Sequence, residues 1–264
     1  MLELYQFELS QYSEKVRFLL DYKGLEYRKI EVTPGVGQVE VFQMSGQRQV
    51  PVLKDGETVV ADSTEIAMYL DRTYPDRPLV PSSAKERGLT LMMEEWADES
   101  IGIKSRKAFI GALNRNEALR AAVLPPDTPD FVKSIVSGIP SDLLETIGSG
   151  VGVGGEALKA AEGSLKQDLD ALCLILGEQP YLTGNTPTLA DFTVAGLSLL
   201  LKFPEKSFLD LPEQLAGKAL PGIGDNPAYE AFFNWRDRLY NDYRQATVST
   251  SSTSASAPSS IEIE

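Results

Sequence analysis

The chain has 264 residues, a formal net charge of −13, 42% hydrophobic residues and 24% charged residues. These proportions are ordinary for a soluble globular protein, and the length allows two domains or one large one. The acidic charge argues against binding to nucleic acid or to an anionic membrane surface, because both need basic patches.

Cysteine and histidine usage narrows the chemistry further. Cys173 is the only cysteine, so there is no disulfide framework and no CxxC redox pair, and a reducing cytoplasmic setting fits. Histidine is absent, which removes the usual general base, Ser-His triads and most zinc sites. The first residues lack the pattern of a signal peptide, and no apolar stretch has the length of a membrane span. We therefore expect a soluble, cytoplasmic protein.

Strands and helices alternate in the first part of the chain. Alternating apolar residues predict strands, and apolar residues at one-face spacing predict helices. The predicted elements are a strand over 2–7, a helix over 12–23 that ends at Gly24, a strand over 27–32 and a short helix over 39–44.

The stretch Gln49–Ser63 carries the clearest local pattern. Asp55-Gly56 lies between two apolar runs, which predicts a β-hairpin with a type I′ turn. Val50-Pro51 opens the first strand of the hairpin, where proline is tolerated. Ser63 begins a helix that ends near Tyr74, and the free amides at its start are a candidate carboxylate or phosphate site.

The rest of the chain is predicted to be helical. From Ala84 onward one helix face carries Leu89, Met92, Met93 and Trp96, and further helices are predicted over 157–176 and 227–243. Thr188 and Asp191 have capping-box spacing before an apolar run, so a helix is predicted to begin there.

Two segments are less regular. In residues 114–155 the sequence predicts several short helices followed by a glycine-rich connection. This connection fits the pattern GxGxxG, but no predicted strand precedes it, as a dinucleotide-binding site would require. Residues 246–264 are mostly Ser and Thr, which predicts a disordered tail.

The βαβαββα order, the Gln49-Val50-Pro51 and Asp62-Ser63 motifs and the Thr188-Asp191 motif resemble the cytosolic glutathione transferase superfamily. The resemblance implies an α/β thioredoxin-like N-terminal domain followed by an all-α C-terminal domain. It places the glutathione-binding domain at 1–76, a linker at 77–84 and the helical domain at 85–245, before the tail at 246–264.

The same resemblance implies a glutathione site. A cis bond would join Val50 to Pro51, and the Val50 backbone would pair with the cysteinyl part of glutathione. Asp62-Ser63 would hold the γ-glutamyl end, although the family usually has Glu-Ser there. Gln49 matches a position that contacts the glutathione backbone.

Ser10 falls where serine-type members of the family carry the hydroxyl that activates the glutathione thiol. A free thiol has a pKa of about 8.5, and a hydroxyl donor at a helix N-terminus favours the thiolate. Considered without the family, Ser10 is an ordinary N-cap. Ser13 and Tyr12 are the second choices, and Tyr5, inside a strand, is expected in the core.

Ser10 and Ser13 stand in the two cysteine places of a CxxC frame, so chemistry through an enzyme thiol is not expected. Cys173, among leucines, is predicted to be a core residue. Arg48 and Arg17 could meet a glutathione carboxylate, although surface positions are favoured. The candidates for holding a second substrate are Trp96, Arg106 and Phe109.

The sequence is thus interpreted as a serine-type glutathione S-transferase, an enzyme of detoxification that is expected to be a homodimer. Its partners would be glutathione, as cosubstrate, and a small hydrophobic electrophile; no metal, nucleic acid or membrane is expected. A glutathione-dependent isomerase or an ether or thioether lyase is the alternative within the family. From another class, the alternative is a non-catalytic ligand-binding or scaffolding protein of the same fold.

Overall fold

The computed structural model describes residues 1–33, 37–123, 155–205, 207–212 and 214–246. The N-terminal elements are β1 (Leu2–Gln6), α1 (Gln11–Tyr22), β2 (Tyr27–Glu31), α2 (Gly37–Ser45), β3 (Val52–Asp55), β4 (Thr58–Ala61) and α3 (Ser63–Thr73). The helical elements that follow are α4 (Ala84–Ala97), a π-helical turn (Asp98–Gly102), α5 (Ile103–Arg115), α6 (Glu117–Ala122), α7 (Gly155–Glu178), α8 (Leu189–Leu197), a 3₁₀ turn (Pro227–Tyr229) and α9 (Glu230–Tyr243). Every predicted element on the described residues is present, with ends that differ by a few residues.

The strands form one four-stranded sheet in the order β2-β1-β3-β4. β1 is parallel to β2 and antiparallel to β3, and β3 and β4 form the hairpin. This topology, with helices following it, confirms the predicted fold class: a thioredoxin-like N-terminal part and an all-helical C-terminal part.

The turn of the hairpin differs from the prediction. Asp55 pairs with Thr58, so the central residues are Gly56 and Glu57 rather than Asp55 and Gly56. Gly56 has a φ of 59°, while Glu57 is not among the described residues with positive φ. A single positive φ at the first central position is typical of a type II′ turn, so the predicted type I′ turn is wrong.

Helix α1 is enclosed on all sides. Val16, Leu19 and Leu20 form its predicted apolar face and are fully buried, but so are the charged residues Lys15 and Arg17. On one side α1 packs against α8, and every residue of α8 is buried. A surface position for Arg17 is therefore wrong, because a helix between two layers has no solvent face.

The predicted capping box at the start of α8 is confirmed. The Thr188 side chain caps the helix, and the Asp191 carboxylate accepts the Thr188 backbone N–H at 2.8 Å. Asp191 also accepts the Leu182 backbone N–H at 2.7 Å, which ties the preceding loop to the helix.

Helix α4 does not bury the face that its apolar residues predict. Thr90, Glu94 and Ala97 are the buried residues, whereas Met92 is 62% exposed. Trp96 shares with α7 an apolar groove of about 730 Å³. Polar residues face inward because Lys15 of α1 supplies a partner for Glu94.

Cys173 is half-buried rather than a core residue, and its neighbour Leu174 is 76% exposed. Tyr5 is in the core, as predicted. Most of 114–155, with its glycine-rich connection, and all but the first residue of the tail lie outside the described residues. In the described part of the chain, no helix is both long and apolar enough to cross a membrane.

Candidate functional site

A cavity of about 440 Å³ lies where β1 and β2 end and β3 begins. Loops from the sheet form most of its wall, and one residue of α5 closes it from the helical part. Its wall is built from Phe7, Ser10, Tyr12, Val32, Gln38, Gln47, Arg48, Gln49, Val50, Pro51, Asp62, Ser63 and Arg106.

The loop before β3 contributes main chain to this wall. The Val50–Pro51 peptide bond is cis, as the family resemblance implies. Gln49, Val50 and Pro51 all line the cavity. Their backbone therefore borders the space that an extended ligand would occupy beside the sheet.

The start of α3 presents a second polar wall. Asp62 is the N-cap, and one of its carboxylate oxygens accepts the backbone N–H groups of Thr64 at 2.8 Å and Glu65 at 3.2 Å. Asp62 has a φ of 76°, a backbone region that costs energy for a residue other than glycine and that is frequent at ligand sites. Ser63, only 3% exposed, lines the cavity at the positive end of the helix.

A buried cation holds this helix start in place. The Lys15 ammonium donates to Thr64 Oγ1 at 3.1 Å, to Glu94 Oε1 at 2.5 Å and to Asp98 Oδ1 at 3.0 Å. The ammonium is inaccessible to solvent, so the pairs act at low dielectric. Lys15 thereby ties the residue after Ser63 to α4 and to the π-helical turn.

Ser10 is the N-cap of α1, which confirms its assignment as a helix cap. Its Oγ accepts the Ser13 backbone N–H at 3.2 Å, and its own N–H donates to the Phe7 carbonyl at 2.9 Å. Because the Ser13 amide uses a lone pair of the hydroxyl, the hydroxyl proton is free to be donated into the cavity.

The two second-choice residues lie in different surroundings. Ser13 is fully buried and is not part of the cavity wall. Tyr12 lines the cavity, and its hydroxyl donates to the Asp98 carbonyl at 3.4 Å. Burial and the nearby Asp98 carboxylate raise the pKa of Tyr12, so its phenol is neutral at physiological pH.

A glycine permits the close approach of Tyr12 to the helical part. A Cβ on Gly102 would lie 2.7 Å from the Tyr12 hydroxyl and 3.2 Å from the Gln11 side-chain amide. That amide donates to the Gly102 carbonyl at 2.5 Å. The π-helical turn therefore brings the start of α1 and the start of α5 together at the cavity.

Two guanidinium groups border the cavity. Arg48 stacks over the Phe42 ring at 5.7 Å, and Arg106 projects from α5. Among the described residues, no carboxylate lies within 4.0 Å of either group. Arg17 is not in the wall: its Nε donates to Glu14 Oε2 at 2.5 Å inside the protein.

The other residues assigned to a second substrate lie elsewhere. Trp96 faces the groove between α4 and α7. Phe109 borders a separate cavity of about 900 Å³, walled largely by apolar residues of α6 and of the loops after α8. Only Arg106 of the three reaches the 440 Å³ cavity.

Four wall residues were not singled out from the sequence, namely Phe7, Val32, Gln38 and Gln47. Phe7, Val32 and Gln47 lie in loops, where no periodic pattern indicates which side chains face a cavity, and Gln38 lies in the first turn of α2. In the ranges that the structure describes, no group of three or more acidic, cysteine or histidine residues could hold a metal ion.

Comparison with known proteins relates the N-terminal part of the chain to a family. Residues 4–78 match the family model of the glutathione S-transferase N-terminal domain. A zeta-class glutathione S-transferase of Euphorbia esula is 33% identical over 103 residues, which cover 38% of this chain and 46% of that protein. The chain spans less than half the length of the first such relatives, 41% to 46%.

Two longer matches extend into the helical part. Glutathione S-transferase TCHQD of Arabidopsis thaliana is 24% identical over 225 residues, covering 81% of this chain and 80% of that protein. The crystal structure of the β-etherase LigF from Sphingobium sp. strain SYK-6 superposes with a TM-score of 0.66 and 24% identity, covering 90% of this chain and 94% of that one. Residues 4–78 therefore match a glutathione S-transferase N-terminal domain, and the longer matches show that the chain as a whole has the glutathione transferase fold.

Proposed function

We propose that the protein is a glutathione S-transferase of the serine type, and that the 440 Å³ cavity binds glutathione. The observation that carries the proposal is the convergence of Ser10, Val50-Pro51 and Asp62-Ser63 on that one cavity. These residues come from three separate segments and include two helix N-termini, which favour anions. In this proposal residues 1–76 form the glutathione-binding domain, residues 77–84 form a linker, and residues 85–245 form the helical domain.

The polar groups of the wall match the parts of glutathione. The γ-glutamyl carboxylate would accept a hydrogen bond from the Ser63 hydroxyl at the positive N-terminus of α3. The Val50 backbone would pair with the cysteinyl part, beside Gln49. The glycyl carboxylate would approach Arg48, whose guanidinium has no carboxylate within 4.0 Å among the described residues.

Ser10 would then activate the thiol. A free thiol has a pKa of about 8.5, so at pH about 7 it is mostly protonated. The Ser10 hydroxyl and the N-terminus of α1 both stabilise the thiolate, and a decrease of about two pKa units corresponds to about 2.7 kcal/mol. The thiol proton leaves to solvent, the sulfur forms a bond to the electrophilic carbon, and the leaving group departs with its electron pair.

The second substrate would enter beside Phe7, Tyr12 and Arg106. The zeta-class and β-etherase similarities support an isomerase or an ether or thioether lyase as the alternative, because each reaction also begins with a bound thiolate. A non-catalytic member of the fold would bind glutathione without lowering the pKa of its thiol.

Replacing Ser10 tests the proposal. Ser10→Ala should still bind glutathione, because Gln49, Val50 and Ser63 hold its backbone, but the pKa of the bound thiol should rise toward about 8.5. Turnover at pH about 7 should fall about tenfold per pKa unit regained, and the loss should shrink as pH rises. Ultraviolet titration of the thiolate and a panel containing an aryl halide, a hydroperoxide and maleylacetone provide the measurements.

Ser13→Ala is the matched control, since Ser13 lies on the same helix but is fully buried. It should titrate like the wild type. Identical titration curves for the wild type and Ser10→Ala would exclude Ser10 as the donor. Binding of glutathione without turnover of any electrophile would favour the non-catalytic class.

The proposal includes a homodimer. Exposed apolar side chains such as Met92 of α4 and Leu174 of α7 are more readily accommodated in an assembly than in a monomer. Light scattering should give twice the mass of 28.9 kDa. A mass equal to that of one chain at micromolar concentration would contradict the dimer.

A further inference from the structure

Glu8 lies in the middle of the turn that leads from β1 to Ser10. Backbone hydrogen bonding between Ser10 N–H and the Phe7 carbonyl, at 2.9 Å, closes this turn. Glu8 is not part of the cavity wall, and its side chain is 15% exposed. It therefore lies outside the cavity while being two residues from the proposed thiol donor.

The Glu8 carboxylate is held by donors from β1, α1, β2 and the loop that contains Asp210. Oε2 accepts from the Gln6 amide at 2.7 Å and lies 3.5 Å from Arg17 Nη1. Oε1 accepts from the Lys29 ammonium at 3.2 Å and from the Asp210 backbone N–H at 2.9 Å. Both carboxylate oxygens are thus occupied, one of them by a residue 202 positions away.

The main chain of Glu8 is fixed as well. Its carbonyl accepts from Arg17 Nη2 at 2.9 Å, and its N–H donates to Glu31 Oε1 at 3.1 Å. Arg17 is fully buried, so it gives the turn a rigid support beneath α1. A turn with both its backbone and its side chain held in this way has little freedom to move.

The contact with Asp210 connects the turn to the helical part of the protein. Asp210 and Leu211 belong to the wall of the 900 Å³ cavity. Of the described residues in that loop, Asp210 is the one whose backbone bonds to the Glu8 carboxylate. The position of the Ser10 turn therefore depends on the position of this loop.

We propose that Glu8 is a positioning residue, which holds the Phe7–Ser10 turn against β2, α1 and the Asp210 loop and so keeps the Ser10 hydroxyl directed at the substrate sulfur. The inference rests on the proposed function of Ser10. Burial alone would raise the pKa of Glu8, but the charges of Arg17 and Lys29 lower it to about 2. The carboxylate consequently stays ionised throughout the pH range of thiol titration.

Two substitutions separate positioning from direct electrostatics. Glu8→Gln keeps the size and removes the charge, whereas Glu8→Asp keeps the charge and shortens the reach by one methylene. Loss of a negative charge near a thiolate would by itself lower the pKa of the thiol. A displaced Ser10 hydroxyl would instead raise the pKa of the thiol, and it would do so in both variants.

The experiment is ultraviolet titration of bound glutathione, with kcat and KM measured against pH for 1-chloro-2,4-dinitrobenzene. We expect both variants to lose about 3- to 10-fold in kcat at pH about 6.5, with recovery at high pH, because the thiol pKa rises by about half to one unit. KM for glutathione should stay within about twofold, since the groups that hold its backbone are unchanged.

Asp71→Asn is the matched control. Asp71 likewise accepts from a lysine, Lys23 at 3.4 Å, and from a backbone N–H, that of Leu79 at 2.6 Å, but it lies outside the cavity wall. It should lose stability without a change in the thiol pKa.

The outcomes are distinct. A thiol pKa in Glu8→Gln that is unchanged or lower, while Ser10→Ala raises it, would overturn the positioning inference alone. If Ser10→Ala itself titrates like the wild type, the proposed function of Ser10 fails first.

Discussion

Arg244, just after α9, donates from Nε to Oε1 of Glu14 in α1 at 3.0 Å, which joins residues 230 positions apart. The two side chains are 2% and 0% exposed. Arg244 also pairs with Asp21, and Glu14 pairs with Arg17 at 2.5 Å, so the ions form one buried cluster. The end of the described chain is thereby fixed to the helix that begins beside Ser10.

Replacing Arg244 by Met should therefore be costly. The change leaves Glu14 with Arg17 as its remaining cation, and it removes the ion-pair partner of Asp21. Breaking a buried ion pair from one side typically costs about 3–5 kcal/mol. Urea unfolding at neutral pH should show a loss of this order.

Arg238→Met is the control for Arg244→Met. Arg238 lies within α9, but it is exposed; it donates to the Pro180 carbonyl at 2.7 Å and lies over the Tyr181 ring at 5.6 Å. Its loss should stay below about 1 kcal/mol. Equal losses in the two variants would show that the buried cluster contributes little.

The elements of the fold could be predicted because local patterns determine them. The alternation in β1 and the spacing of Val16, Leu19 and Leu20 predicted a strand and a helix that the structure contains. The burial of Glu14 and Arg17 could not be predicted, because a charged residue is buried only when its partner is present. Here one of the two partners of Glu14, Arg244, lies near the other end of the chain.

The part of the candidate site that is formed by sequence motifs could be predicted. Val50-Pro51 and Asp62-Ser63 were identified by their order, and they line one cavity. Arg106 and Phe109, three residues apart on α5, face different cavities. Just before α5, Gly102 permits the close approach of the π-helical turn to Tyr12, and no sequence pattern marked that glycine.

We predict that Ser63→Ala weakens glutathione binding by about 1–3 kcal/mol, because a ligand carboxylate loses a buried hydrogen-bond donor. Calorimetry should show the loss in Kd, and steady-state kinetics should show it in KM for glutathione. Ser83→Ala is the matched control, since Ser83 also lies at a helix N-terminus but makes no side-chain cap hydrogen bond. Unchanged affinity in Ser63→Ala would mean that the γ-glutamyl group is placed wrongly.

Arg106 should select second substrates that carry an anionic group. Its guanidinium lines the cavity and lies near enough to Tyr12 to oppose the rise in the pKa of that phenol. Arg106→Gln should raise KM for 4-chloro-3,5-dinitrobenzoate about 3- to 10-fold, or about 0.7–1.4 kcal/mol, a modest value because the group is exposed to solvent. KM for 1-chloro-2,4-dinitrobenzene should not change.

The control for Arg106→Gln is Lys107→Gln, the next residue on α5, which is outside the cavity wall. It removes the same charge from the protein, so it reports any general electrostatic effect on the anionic substrate. If both variants raise KM for the benzoate equally, Arg106 makes no specific contact.

Asp191 provides a pH-dependent prediction. Burial raises the pKa of this carboxyl from 3.8 to about 6, although it accepts hydrogen bonds from Leu182 and Thr188. Between these two pH values the folded state binds more protons than the unfolded state, so stability from this group falls as pH rises. The contribution of Asp191 to stability is therefore largest below pH 3.8 and smallest above pH 6.

Comparison with Asp191→Asn isolates this effect, because the amide has a similar shape and does not titrate. The wild type should lose stability relative to Asp191→Asn as pH rises from about 4 to about 6, and the difference should be constant above that range. Asp191→Ala, which leaves the Leu182 and Thr188 amides without their acceptor, should cost about 2–4 kcal/mol above pH about 6, where the wild-type carboxyl is ionised. Urea unfolding at a series of pH values measures all three proteins, and a wild type that gains stability over Asp191→Asn across this range would contradict the raised pKa.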